Sequence, residues 1–209
     1  MSTMAKPVGL LLRLNAKSFE PINALRAKYP APRLPYHHED PQRTLLPVFC
    51  LLHSLPGSML PAIQSKLSSL ATLQKPFSIK TGAPRLFKGN DRAETNFGFG
   101  FELPTNQIEQ LRKEIYDEFS AAIKAEFPEQ YLTKYKFVPR AEHKLAVRHS
   151  SEGFPKEKAS EILAELQKQY PDGFGTIAVE GFALQEHVNN MVMRISQDRM
   201  VGEYPFGSH

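Results

Sequence analysis

A chain of 209 residues, 41% hydrophobic and 23% charged, is long enough for one substantial core or two small lobes and has the composition of an ordinary soluble globular protein. Its single cysteine, Cys50, excludes an internal disulfide and a cysteine-rich metal site, and fits a reducing, cytoplasmic compartment. Lys and Arg outnumber Asp and Glu by 26 to 22, and a charge of +4 over the whole chain permits an anionic ligand without marking a nucleic-acid footprint.

Residues 8–15 are apolar and bounded by Pro7, which predicts a buried strand; the run is too short, and with Arg13 too charged, for a signal peptide or membrane span. A short helix is expected over residues 19–28, with Ile22, Ala24 and Leu25 as its apolar positions. The prolines at 30, 32, 35, 41 and 47 make the following stretch loop. Within it, His37-His38-Glu39-Asp40 has metal-ligand composition, but adjacent residues in a proline-bounded loop read as solvated, and no metal site is assigned. Residues 46–53 read as the next strand, Pro56-Gly57 as a turn, and Ser58 as the opening of an amphipathic helix through Leu60, Ile63, Leu67 and Leu70. Strands follow at residues 77–79, 83–87 and 97–103. In the last of these Phe97, Phe99 and Phe101 share one face, while Gly98 and Gly100 leave the other open to close approach.

The second half repeats the order of the first. Thr105 caps a long helix with Ile108, Leu111, Ile115, Phe119 and Ile123 as its stripe, and the aromatic stretch 127–137 leads to a strand at 144–149. A helix over 155–170, strands at 176–186 and 190–195, and Glu203-Tyr204-Pro205-Phe206 complete the chain. This recurrence predicts an α+β, bilobal fold of two pseudo-symmetric, antiparallel-rich lobes around a central cleft, rather than a doubly wound parallel sheet. Residues 1–206 are taken as one domain of two lobes. Gly207-Ser208-His209 fits a native end and an expression remnant equally and is set aside.

The segment Leu45-Leu46-Pro47-Val48-Phe49-Cys50-Leu51-Leu52-His53-Ser54-Leu55-Pro56-Gly57 resembles the first signature of the 2H phosphoesterase superfamily, the 2′-5′ RNA ligase and cyclic phosphodiesterase group, in its small fungal-type form. The Gly82-Ala83-Pro84 corner and the terminal Glu-Tyr-Pro-Phe are similar too, so the resemblance spans nearly the whole chain. It implies two lobes that each bring one His-x-Thr/Ser strand to a shared cleft. In that family the two histidines divide acid and base duties on a phosphodiester, and the two hydroxyls donate to its oxygens. The corner His53-Ser54-Leu55-Pro56 sets the register, which puts Val48 at the His position and Cys50 at the Thr position. Valine transfers no proton and a thiol is a weak donor.

The second signature admits three registers. Lys144 and Ala146 take the two positions if residues 144–149 are the anchor, Arg140 and Glu142 if Phe137-Val138-Pro139 is, and His143 with Leu145 in the third. His149-Ser150-Ser151 spells His-x-Ser but runs into Glu152-Gly153 and reads better as a strand end. Strict alternation puts Lys144, Ala146 and Arg148 on one face and His143, Leu145, Val147 and His149 on the other.

Candidate catalytic groups are therefore His53, His143 and His149, and candidate ligand-binding residues are Val48, Cys50, Arg85, Phe99, Lys144, Ala146 and Arg148. For His53 a corner histidine bonded to backbone competes with a pocket role, and for Arg85 a structural ion pair does. Cys50 in mid-strand reads as an inert buried thiol, and His187 as a surface residue at a turn. No glycine-rich phosphate loop, nucleophile elbow or zinc helix occurs, so no cofactor is expected. The resulting expectation is a repurposed 2H-like protein that has lost phosphodiester chemistry and binds or converts a small polar or anionic organic molecule by acid–base groups. A phosphodiesterase using displaced histidines on RNA or cyclic nucleotides, and a ligand-binding module without catalysis, are the alternatives. Nucleic acid is the less favoured partner, and no membrane is expected.

Overall fold

The computed structural model describes residues 6–32, 46–88, 97–126, 129, 136–188, 191–192 and 200–207. The histidine tract at 37–40 lies outside them.

Strand β1 (Val8–Leu14) is buried along nearly its whole length, as its unbroken apolar run requires. Helix α1 (Ala16–Lys28) starts three residues before the apolar pattern does, because Asn15 caps it: its Oδ1 accepts the Ser18 backbone N–H at 3.0 Å. Strand β2 (Val48–Leu55) leads through a 3₁₀ turn (Gly57–Met59) into α2 (Leu60–Leu73). Ser58 thus lies in the turn rather than capping the helix, and Pro61 sits in the first helical turn, where its missing N–H has no partner to lose. β3 (Phe77–Lys80), β4 (Pro84–Lys88) and β5 (Phe97–Leu103) follow, then α3 (Thr105–Glu126), β6 (His143–Arg148), a second 3₁₀ turn (Ser150–Glu152) and α4 (Lys156–Gln169). Three further strands are β7 (Thr176–Val188), β8 (Met191–Val192) and β9 (Met200–Pro205).

The strands form two antiparallel sheets. One has the order β2-β1-β7-β3, with β8 and β9 also paired to the long β7; the other is β4-β5-β6. A single apolar core joins residues of both, including Leu10, Leu12, Phe49, Phe99, Phe101, Leu145 and Val147, with α-helical Ile22, Ile63, Ile108 and Ile162 packed into it. No described helix is long and apolar enough to cross a membrane.

The repeat seen in the sequence has a definite spatial form. In each half a strand, a helix and an antiparallel partner strand follow in order: β1, α1 and β2, then β5, α3 and β6. After α2 the chain adds β3 to its own sheet, against β7, and then crosses as β4 to the other; after α4 it crosses directly as β7. β4 pairs with β5, and β7 pairs with β1. Each sheet is thereby completed by a strand from the opposite half.

Candidate ligand site on two bulged strands

β2 and β6 share an irregularity at the same place, and β2 carries a second where the register passes from Val8 opposite Leu55 to Leu10 opposite Leu52. On β2 the register passes from Leu10 opposite Leu52 to Leu11 opposite Cys50, so Leu51 is an extra residue. On β6 it passes from Phe99 opposite Arg148 to Gly100 opposite Ala146, so Val147 is the extra residue. A bulge of this kind bends the strand and re-aims the side chains beyond it. Counting from the two bulges aligns the halves residue by residue: Val48 with Lys144, Cys50 with Ala146, and His53 with His149. In this internal equivalence Lys144 and Ala146 stand opposite Val48 and Cys50, as they do in one of the three registers open for the second strand.

Val48, Cys50, Lys144 and Ala146 point away from the main core, since Phe49, Leu51, Leu145 and Val147 point into it. Val48 and Cys50 lie with Leu11 and Ala183 in a small separate apolar cluster, against which Leu46 and Met200 pack. On β6 the Lys144 ammonium stands 4.3 Å from the centroid of the Phe87 ring. That ring lies across Gly98, where a Cβ would collide with it. Ala146 is buried opposite Gly100, at which a Cβ would stand 2.8 Å from the Ala146 Cα. Arg85 is exposed and pairs with Glu102 at 2.6 Å, on the same face as Lys144.

Two of the expected wall residues are elsewhere. Arg148 does not share a face with Lys144, because the bulge at Val147 turns it inward. It is 1% exposed, and it donates to the Tyr29 and Arg26 carbonyls at 2.8 and 2.6 Å and to Glu152 at 2.9 Å. Burial lowers its affinity for a proton, as does the neighbouring Arg26, while Glu152 opposes both. Phe99 is wholly buried on the core side, edge-on to Phe154 and Tyr29.

The histidines are distributed differently from what a paired acid–base site needs. His143 is on the core side of β6, its Nε2 2.5 Å from Glu109 of α3 and its ring against Phe49. Burial pushes its pKa below the ordinary value and outweighs the pull of the Glu109 carboxylate, so the ring is neutral and Nε2–H donates. Burial pushes Glu109 up, but hydrogen bonds from Arg112, His143 and the Arg140 backbone together hold it below the carboxylate range. His149 caps the second 3₁₀ turn, with its backbone N–H donating to Glu152 at 2.6 Å. His53 is in β2, and its side chain lies outside the described residues, as does that of His187. No group of described His, Cys, Asp and Glu residues is arranged to hold a metal ion.

Two residues at this site escaped the sequence reading: Arg112 and Arg26. Arg112, 4% exposed, donates Nε–H to the Leu51 carbonyl at 2.9 Å and bonds Glu109. Arg26 donates to the Val147 carbonyl at 2.7 Å and to Glu152 at 3.0 Å. Each follows an apolar stripe residue by four positions, Ile108 and Ile22, so each arginine sits where a helix faces the core. That was the available signal. A separate open groove of about 250 Å³, floored by Leu12, Phe77 and Leu111 and edged by three glutamines, lies on the helical side of the first sheet and touches none of the expected site residues.

No sequence-family model and no curated protein sequence matches the chain. Solved structures do. TT0787 of Thermus thermophilus superposes with a TM-score of 0.53 at 18% identity, over 97% of this chain and all of that one. A phosphoesterase gives 0.51 at 14% identity, over 98% and 99%, and E. coli LigT in its apo form gives 0.51 at 14%, over 99% and 100%. These proteins are 2H phosphoesterases. With two antiparallel sheets and nearly the whole of each chain covered, the chain has the 2H phosphoesterase fold.

Proposed function

We propose that the protein binds a small, anionic organic molecule on the faces carried by Val48, Cys50, Lys144 and Ala146, and that it does not cleave phosphodiesters. The carrying observation is the pair of matching bulges. They support reading those four residues as the counterparts of the family's two His-x-Thr/Ser strands. An in-line displacement at phosphorus needs one group to take a proton and another to give one. Valine, alanine and a buried thiol supply neither. His143 bonded to Glu109 on the core side and His149 in its turn argue against displaced histidines taking over, and they favour binding over acid–base conversion. Lys144 is the charge that remains at the aligned positions, so an anion is the ligand chemistry that fits. We further take residues 1–206 as one domain, since the exchanged strands β4 and β7 leave neither half a complete sheet of its own.

The E. coli LigT structure with ATP, at a TM-score of 0.50 and 14% identity over 99% of this chain and all of that one, makes ATP a reasonable first anion to titrate. Two measurements test the reading. A panel of 2′,3′-cyclic nucleotides is expected to show no turnover by the purified protein, and rates on the order of 1 s⁻¹ or more would overturn it. In calorimetric titration, Lys144→Ala is expected to weaken an anionic ligand more than about tenfold while Arg148 plays no direct part. Equal affinity in wild type and Lys144→Ala would instead favour a neutral, hydrophobic ligand held by the apolar residues alone.

A further inference from the structure

We infer that Arg112 and Arg26 are positioning residues for the two site strands, each fixing the bulge of one half from a helix of the other. A bulge takes a residue out of the ladder and leaves its backbone groups in search of partners. At Leu51 the carbonyl is taken by Arg112 of α3, at 2.9 Å. At Val147 it is taken by Arg26 of α1, at 2.7 Å. The arrangement is reciprocal: α3 belongs to the second half and holds β2 of the first, while α1 belongs to the first half and holds β6 of the second. Both guanidinium groups are in turn fixed by a carboxylate, Glu109 and Glu152 respectively. Arg112 also reaches the Val138 carbonyl at 3.4 Å, and Arg140 donates to the neighbouring Cys50 carbonyl at 3.4 Å.

The chemistry calls for arginine rather than any cation. A planar fork donates in several fixed directions at once, and here it bonds a carbonyl and a carboxylate on different elements; an ammonium on a flexible stem cannot hold both in one geometry. The aim of Val48 and Cys50 is therefore set by α3, and that of Lys144 and Ala146 by α1. This rests on the reading above only for which strands form the site.

Cys50, the chain's one thiol, is wholly buried one residue before the Leu51 bulge and reports on β2 without any ligand. The test compares Arg112→Lys, Arg26→Lys and a core control, Ile63→Val in α2, at denaturant concentrations that give all three the same unfolding free energy. Reaction of Cys50 with a disulfide reagent is expected to be at least tenfold faster in Arg112→Lys than in the control, and unchanged in Arg26→Lys. Amide hydrogen exchange at Ala146 and Val147 is expected to show the reverse, at least tenfold faster in Arg26→Lys only. Should Arg112→Lys fail to fold, Glu109→Gln, which loosens the guanidinium but keeps it, is expected to raise Cys50 reactivity in the same selective way. Reactivity and exchange that follow global stability alone in every variant would overturn the inference. Because no ligand enters the experiment, that result would leave the proposed binding function standing, and a failed ligand titration would leave this inference standing.

Discussion

The supports of β2 and β6 hold the same backbone feature with different charge arithmetic. Behind β6, Arg26 and Arg148 share one carboxylate, Glu152, with side-chain exposures of 11%, 1% and 5%. Two buried cations and one anion leave a permanent positive excess there. Behind β2, Arg112 and His143 share Glu109, and the half-buried Arg140 stands beside them with its guanidinium on the Cys50 carbonyl. The first arrangement is expensive to disturb and indifferent to pH near neutrality. The second is open to partly exposed groups and includes a histidine whose affinity for a proton burial has lowered.

The largest effect expected from this contrast is at Glu152. Glu152→Gln keeps the shape but strands two buried guanidinium groups together, and removing one partner of a buried ion pair costs about 3–5 kcal/mol. Urea unfolding is the measurement. A loss below about 1 kcal/mol would mean that water reaches Arg26 and Arg148 freely, and the contrast would collapse.

A second difference lies beneath the bulges. β1 presents Leu11 opposite Cys50, whereas β5 presents Gly100 opposite Ala146. At Gly100 an added Cβ would run into the Leu145 carbonyl oxygen and crowd Ala146. Gly100→Ala is expected to cost about 1–3 kcal/mol as an overpacked substitution and to weaken β5–β6 pairing. Unchanged amide exchange along β6 would show that the strand has room to yield.

The smallest effect is the pH dependence of the β2 side. The His143 pKa in the fold is depressed, so below the ordinary histidine value near 6.5 the unfolded chain takes up a proton that the native ring refuses. Stability therefore falls as pH falls through that window, with a slope of at most about 1.4 kcal/mol per pH unit for the one group. Glu109, also depressed, adds a further loss at lower pH, as acid protonates a carboxylate the fold needs ionised. His143→Gln is expected to flatten the decline between pH 7 and 5. A decline of equal slope in the variant would place its origin in another histidine.

What could be read from the sequence divides along the same line. Element order, the buried β1, the phenylalanine face of β5 and the amphipathic helices were legible because each follows from local periodicity. The side-chain directions of β6 were not. Alternation puts Arg148 beside Lys144, and only the partner strand shows that Val147 is supernumerary and that Arg148 turns inward. The register of the second strand was undecided for the same reason, since a bulge is a mismatch between two strands and one strand's sequence does not record it. Phe99 was placed on the correct face of β5, but sequence could not say that this face belongs to the core. Arg26 and Arg112 sit on apolar helix stripes, so their inward direction was legible although their targets were not.

The exchange of strands between halves bears on how the molecule is made. Of these strands β1 leaves the ribosome before the others, yet the strand that covers its second edge is β7, and Val8 pairs with Glu186. During synthesis one edge of β1 stays open until most of the chain has emerged, and contacts so distant in sequence slow folding. A nascent chain released before Thr176 lacks the β7 that covers that edge. Such a fragment is a ready template for pairing with another chain, and it would depend on chaperones in a way the finished protein does not.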